Sequence, residues 1–412
     1  MATEVLVAGG GPAGLAAAAA AARQGAATVL VERYGFLGGM ATAGLVNPFM
    51  PWHVGGDPLV GGIFQEMLDR MAAIGGFGGA REKKTFDPEA FKFAADELCR
   101  EAGVAVRLHT LLTEVEVEAR RVARLHTASK SGLEKWEAAV YVDCTGDADL
   151  AFHAGVPCEE GREGDGLTQP MTLNFRMAGV DVDRMPPRKE INRLFDAAKV
   201  EGRLSCPREN VLLFFAVQPD VVHFNTTRVT GKRGTSAEDL TAAEAEARRQ
   251  TRELVCFLQA EVSGFEEAYL QQTGAQIGVR ESRRMRGDYA LSGEDVVAAR
   301  KFPDGIARSN YPIDIHNPAG GGTVIREVPS GDYYEIPYRC LLPLGIDNLL
   351  VAGRCVSSTH EGQSALRIMP TCFAMGEAAG IAAAMSAQGQ IGPREIDPER
   401  LRGALREGGQ IV

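Results

Sequence analysis

Residues 4–14 read Glu4-Val5-Leu6-Val7-Ala8-Gly9-Gly10-Gly11-Pro12-Ala13-Gly14, and this stretch decides the fold. The apolar run Val5–Ala8 predicts a buried parallel strand. It breaks into a glycine turn, and the alanine-rich segment Ala13–Arg23 predicts a helix. Gly9, Gly11 and Gly14 give the spacing G-x-G-x-x-G. Gly9 makes the tight turn, Gly11 admits a pyrophosphate to the backbone, and Gly14 lets helix and strand pack closely. The anion would sit on the helix N-terminus beside Pro12 and Ala13, where free N–H groups and the helix dipole favour negative charge. After a Gly25 stop, a second apolar strand, Thr28–Val31, ends on Glu32. That acid stands 18 residues beyond Gly14, where an acceptor for ribose hydroxyls belongs. A glycine turn alone is weak support, but strand, turn, helix, strand and acid in this order specify a dinucleotide site.

The whole chain bounds the reading. Its 412 residues exceed one ordinary core, so about two domains are expected. A composition 45% hydrophobic and 24% charged is ordinary for a globular protein. The net charge of −10 argues against nucleic acid or an anionic membrane as partner. No apolar run is long enough to span a bilayer, and the alanine run belongs to the dinucleotide helix, so a cytoplasmic protein is expected. Eight cysteines are scattered with no C-x-x-C or C-x-x-x-x-C pair. That spacing predicts no metal site and no flavin-coupled dithiol, only free thiols.

Downstream of Glu32 runs Arg33-Tyr34-Gly35-Phe36-Leu37-Gly38-Gly39-Met40-Ala41-Thr42, whose glycines suit backbone laid against a large flat ligand. With the opening motif and Glu32-Arg33, this resembles the FAD-dependent oxidoreductases of the glutathione-reductase-like structural group. The likeness is closest to a bacterial branch carrying Leu-Gly-Gly-Met-Ala-Thr after the second strand. The resemblance implies FAD as cofactor, with Glu32 on the adenosine ribose and residues 38–42 beside the pyrophosphate and flavin. It also implies two later flavin contacts. One is Thr145-Gly146-Asp147, closing the apolar strand from Ala138. The other is Gly353-Arg354, closing the strand Asp347–Arg354. A helix from Phe373 to about Ala387, opened by Met369-Pro370-Thr371-Cys372, would aim its N–H groups at the flavin pyrimidine, making Thr371 and Cys372 contacts as well. Gly376, Ala379 and Gly380 leave one face of that helix nearly bare backbone. Val106, in the strand Val104–Leu108, completes the expected cofactor set.

The fold expected is α/β: a Rossmann-like, glutathione-reductase-like FAD-binding domain in two parts, 1–155 and 336–412, with an inserted α+β substrate domain at 156–335. In the insert, strands are expected at Thr172–Met177, Val211–Val217 and Val221–Thr227, with a long charged helix from Ser236 to about Glu261.

Three clusters carry candidate chemistry. Gly278–Tyr289 holds four arginines within seven residues, with Arg283 the representative. They either clamp an anionic substrate or pair with Glu281 and Asp288 at a domain interface. In Asn310–Asn317, strand period two puts Asp314 and His316 on one face, making His316 the candidate acceptor of a substrate proton. In Ser357–Arg367, His360 and Arg367 lie between the Gly-Arg strand and the last helix. Catalytic candidates are therefore His316, Arg283, His360 and Arg367.

No second G-x-G-x-x-G unit appears, so a separate nicotinamide-binding domain is not expected. The function expected is hydride transfer between a small organic substrate, anionic or hydroxylated, and FAD, with an external electron acceptor or donor. Self-association is compatible with the sequence. Monooxygenation, an electron-transfer flavoprotein subunit, and a nicotinamide dinucleotide in the first site are the alternatives.

Overall fold

The computed structural model describes residues 2–412. The opening apolar run is the strand Ala2–Ala8, central in a seven-stranded sheet. It pairs in parallel with Thr28–Val31 on one side and with the far half of Gly132–Asp143 on the other. Ala105–Arg107 extends the sheet beyond Thr28–Val31, and Leu349–Val351 pairs in parallel with Gly132–Asp143. The near half of Gly132–Asp143 instead runs antiparallel to Arg121–Ser129, which pairs with Leu111–Glu118. This meander hangs from the parallel sheet on a single long strand. A hairpin at Lys130–Ser131 joins Arg121–Ser129 to this strand, which begins at Gly132 rather than at the Ala138 expected from its apolar run.

Register places the ligand edge. Ala8 lies opposite Val31 and Asp143, and Val351 lies opposite Asp143, so four parallel strands end on one line. Each of three of them is followed by a glycine at positive φ: Gly9 at 96°, Gly146 at 81° and Gly353 at 95°. Ligands of open α/β sheets bind outside such carboxyl ends.

The helices Pro12–Arg23 and Met369–Gly389 pack face to face on this sheet. A Cβ built on Gly376 would stand 2.0 Å from the Ala13 carbonyl oxygen, and one on Gly380 2.1 Å from that of Ala17. Two glycines a turn apart thus let the backbones touch. The small-residue face expected from the sequence is this contact, although the helix starts at Met369, earlier than read, because Pro370 sits at its first turn. Asp87 caps Pro88–Ala102 by accepting from the Glu89 N–H, and Gly103 ends it in the left-handed conformation, as the sequence signals require.

A second, smaller sheet is antiparallel, in the order Leu213–Phe215, Val222–Phe224, Phe175–Ala178, Tyr269–Thr273. Its strands are shorter than the apolar runs suggest, and the Tyr269–Thr273 edge strand, mostly exposed, has no apolar pattern to announce it. Arg188–Val200 and Ala237–Glu261 cover it, burying Phe175, Phe195, Phe224, Phe257 and Phe265 in a core of its own. Ser236 caps the longer helix by accepting from the Asp239 N–H. Residues 285–313 supply Met285, Leu291, Val296, Ile306 and Ile313 to the larger core around the parallel sheet. Among the described residues no single helix is long and apolar enough to cross a membrane.

Candidate functional site

A cavity of about 470 Å³ opens where the parallel strands end and runs on to the smaller sheet. Its first wall is the glycine cradle: Gly9, Gly11, Pro12, Ala13, Glu32, Arg33, Gly39, Met40, Thr145, Gly146, Gly353, Arg354 and Cys372 all line it. The three motif glycines do three different things. A Cβ on Gly9 would stand 2.5 Å from the Cys144 carbonyl oxygen, so this turn admits no side chain. A Cβ on Gly14 would stand 1.7 Å from the Gly9 oxygen, so Gly14 serves packing and stays out of the cavity. A Cβ on Gly11 would meet nothing nearer than the Gly39 Cα at 3.8 Å, because Gly11 faces the void.

Glu32 is buried and takes one backbone N–H on each oxygen: Gly10 on Oε2 at 2.6 Å and Tyr34 on Oε1 at 2.9 Å. Burial pushes its carboxyl up from the ordinary range, partly offset by these two N–H groups. Each oxygen keeps a lone pair, so the group suits a ribose diol. Arg354 braces the far strands: Nε donates to the Gly146 carbonyl at 2.9 Å and Nη2 to Asp147 Oδ1 at 2.7 Å. Asp147 is spent on that brace and on Ser282, and it does not line the cavity. Gly38, Ala41, Thr42, Val106 and Thr371 do not line it either. Gly38 and Thr42 shape the turn, with Thr42 Oγ1 donating to the Leu37 carbonyl at 2.8 Å. Ala41 is buried core, and Val106 pairs with Leu30 in the strand beyond Glu32. Thr371 is buried with its hydroxyl unpartnered, in the first turn of a helix whose first residue, Met369, and preceding residue, Ile368, do face the void. Burial pushes the Cys372 thiol up to about 12 and raises that of Cys144, so both cavity cysteines stay protonated.

The opposite wall carries polar side chains from distant segments: Asn174, Arg208, Asn225, Arg280, Tyr311, Asp314, His316 and Arg367. Of the four clustered arginines only Arg280 faces the cavity. Its Nη1 donates to the Pro170 carbonyl at 2.8 Å and its Nη2 to Asn225 Oδ1 at 2.9 Å. Arg283 does not line the cavity: the strand Arg283–Met285 turns it onto the Asp147 carbonyl, Asp149 and the Phe152 ring. Arg284 pairs with buried Glu281. His360 also misses the cavity, because its Nδ1 is held by Glu281 Oε1 at 2.8 Å as the first residue of His360–Leu366. Arg367 lines the cavity.

Asp314 and His316 do share a face, His316 Nε2 standing 3.9 Å from Asp314 Oδ1. Asp314 Oδ2 accepts from the Tyr311 hydroxyl at 2.7 Å. The Arg228 guanidinium lies 3.2 Å from His316 Nδ1. A guanidinium only donates, so Nδ1 is an acceptor and the ring proton sits on Nε2. Burial, then the guanidiniums of Arg280, Arg367, Arg208 and Arg228, hold the imidazole far below its usual range, so it stays neutral. The expectation that His316 accepts a proton is therefore reversed: its basic nitrogen is taken, and it presents a donor. Arg208, Arg228 and Asn225 escaped sequence reading because no local motif marks them, and Tyr311 lies within the Asn310–Asn317 cluster without a role assigned to it.

A glycine cradle at the strand ends, an acid for ribose and a helix start facing one cavity define a dinucleotide-dependent enzyme fold. The family model for FAD dependent oxidoreductases matches residues 4–405, and the chain belongs to that family. It is an FAD-dependent oxidoreductase. The open Gly11 face and the unspent lone pairs of Glu32 both fit that cofactor. No curated protein matches the chain. Among solved structures, a geranylgeranyl bacteriochlorophyll reductase-like protein from Thermoplasma acidophilum is similar at 13% identity and TM-score 0.47, over 98% of this chain and 82% of that one. The anhydrotetracycline hydroxylase OxyS from Streptomyces rimosus is similar at 16% identity and TM-score 0.44, over 99% of this chain and 66% of that one. The flavin-dependent brominase Bmp2 is similar at 12% identity and TM-score 0.46, over 99% and 83%. Likenesses this distant say nothing of the substrate.

Proposed function

We propose that the protein oxidises a small hydroxylated organic substrate by hydride transfer to FAD, in a flavin domain of the glutathione-reductase type. The reading of the domain is supported by the parallel order Ala105–Arg107, Thr28–Val31, Ala2–Ala8, Gly132–Asp143, Leu349–Val351 with an antiparallel meander on its fourth strand. Leu37–Thr42 supports the Leu-Gly-Gly-Met-Ala-Thr branch. FAD, when bound, supplies the two-electron acceptor. Gly11 and the start of Pro12–Arg23 would hold its pyrophosphate, and Glu32 its ribose.

The observation that carries the chemical reading is the free oxygen of Asp314. Oδ2 is engaged by Tyr311, whereas Oδ1 has only the neutral His316 ring, 3.9 Å away. A substrate hydroxyl between them donates its proton to Asp314 Oδ1 and accepts a hydrogen bond from His316 Nε2–H. The proton and the hydride then leave from adjacent atoms, giving a carbonyl product. An external partner reoxidises the flavin.

The test is anaerobic mixing of the flavin-loaded enzyme with a panel of hydroxylated compounds, read as bleaching of the flavin band. A compound that bleaches the wild type should do so roughly 10²- to 10⁴-fold more slowly in Asp314→Asn, the usual contribution of a positioned base. An unchanged rate removes Asp314 from the reaction. Bleaching only by another protein would make the chain an electron-transfer subunit.

A further inference from the structure

The cavity wall holds more positive charge than it neutralises. Arg208, Arg280 and Arg367 all line the cavity, and none has a carboxylate within ion-pair distance among the described residues. Their partners are neutral: Arg280 bonds Asn225 and the Pro170 carbonyl, Arg367 Nη2 reaches Gln169 Oε1 at 3.4 Å, and Arg208 Nε reaches Asn210 Oδ1 at 3.4 Å. Arg208 Nη1 and Arg367 Nε have no partner at all. Nearby, Arg228 is neutralised by Glu209 at 3.1 Å and Arg354 by Asp147 at 2.7 Å. Arg33, beside Glu32 on the cradle wall, is also without an ion pair among the described residues and bonds Gln276 Oε1 at 3.1 Å.

The cost of this arrangement is visible. Burial pushes both Arg280 and Arg208 below their ordinary range, and neighbouring guanidiniums add to it, Arg208 and Arg367 on Arg280 and Arg228 on Arg208, with Asp314 offsetting part of it on both and Glu209 part of it on Arg208. A guanidinium does not give up its proton, so the strain remains as repulsion between like charges until an anion arrives. Asp314 is the only carboxylate on this stretch of wall outside the Arg228–Glu209 pair. Three guanidinium charges against one carboxylate leave an excess of two.

Resting on the reading of this cavity as the substrate site, we propose that the substrate is a dianion of dicarboxylate type. Its two carboxylates are taken by Arg208, Arg280 and Arg367, and its hydroxyl lies against Asp314 and His316. The fork geometry of arginine matches carboxylates, and three arginines from three separate segments suit two acidic groups on one small skeleton. Asp314 repels a carboxylate from its own corner, leaving that position to the hydroxyl.

The test is equilibrium binding to the FAD-loaded protein by calorimetry, with succinate, acetate and glycerol as probes that need not react. Succinate should bind at least tenfold more tightly than acetate, and glycerol should not bind measurably. Arg280→Gln and Arg208→Gln should each weaken succinate tenfold or more, with Arg280→Lys recovering part of the loss. Retained flavin absorbance and the wild-type circular dichroism spectrum identify variants that still fold. Arg367→Gln, at the end of His360–Leu366, repeats the test should either of the others fail to fold. Acetate binding as tightly as succinate, or succinate indifferent to these variants, overturns the proposal. A neutral alcohol that bleaches the flavin in a protein blind to succinate would sink the dianion and leave the oxidation standing. Tight succinate binding with no bleaching compound would do the reverse.

Discussion

Gly11→Ala separates cofactor binding from folding. Gly11 has φ −72° and ψ −175°, a conformation open to any residue, and its Cβ would touch only the Gly39 Cα at 3.8 Å. The substitution sits at a helix N-cap, where alanine is disfavoured relative to glycine by under about 1 kcal/mol. On the ligand side the methyl occupies the approach path of the pyrophosphate and breaks at least one charge-assisted hydrogen bond. Such a bond contributes about 1.5–3 kcal/mol, roughly ten- to hundredfold in Kd. The assay pairs chemical unfolding of the flavin-free protein with FAD titration followed by flavin fluorescence. At FAD a hundred times the wild-type Kd, the wild type gains about 2.7 kcal/mol of stability from the ligand, and Gly11→Ala gains only about 0.4–1.4 kcal/mol. Full FAD affinity in the variant would refute the placing of the pyrophosphate at Gly11. An apoprotein that fails to fold would refute the claim that this glycine faces empty space.

Gly14→Ala should do the opposite, destabilising the apoprotein by about 1–3 kcal/mol or more, because its methyl meets the Gly9 carbonyl at 1.7 Å. Gly376→Ala, 2.0 Å from the Ala13 oxygen, should cost a similar amount in denaturant titration. Glu377 is buried against the Ile63 N–H and Gln410, and burial pushes its carboxyl up to about 7. With the folded value raised above the unfolded one, its contribution is full below about pH 4.5 and is lost as pH rises through 7. Glu377→Gln should therefore gain stability relative to wild type as pH rises from about 4.5 to about 7 and hold that gain above it, and a pH-independent difference would contradict the assignment. Arg228→Met frees His316 Nδ1; nitrogen NMR of the labelled imidazole should show the Nε2–H tautomer in the wild type and a changed tautomer balance in the variant.

What the sequence discloses is chiefly backbone mechanics. Gly9, Gly11 and Gly14 are legible because each has a local, steric reason to lack a side chain, and Glu32 because a strand end fixes where its carboxylate goes. The packed face of Gly376 and Gly380 is legible for the same reason. The substrate wall is a different matter. Period two joins Asp314 to His316, but the tautomer of His316 depends on Arg228, 88 residues earlier in the chain. The run Arg280–Arg286 gives no sign that Arg280 alone faces the void while Arg283 and Arg284 turn to Asp149 and Glu281. Arg208 lies in a loop with no motif, and its meaning comes from the two other guanidiniums that folding brings to the same cavity.

The most direct test of the account is the visible absorption spectrum of the purified protein, taken before and after acid precipitation. The expected result is a flavin band that passes into the supernatant as free FAD. No band even after adding FAD, or a band that stays with the precipitate, would contradict it.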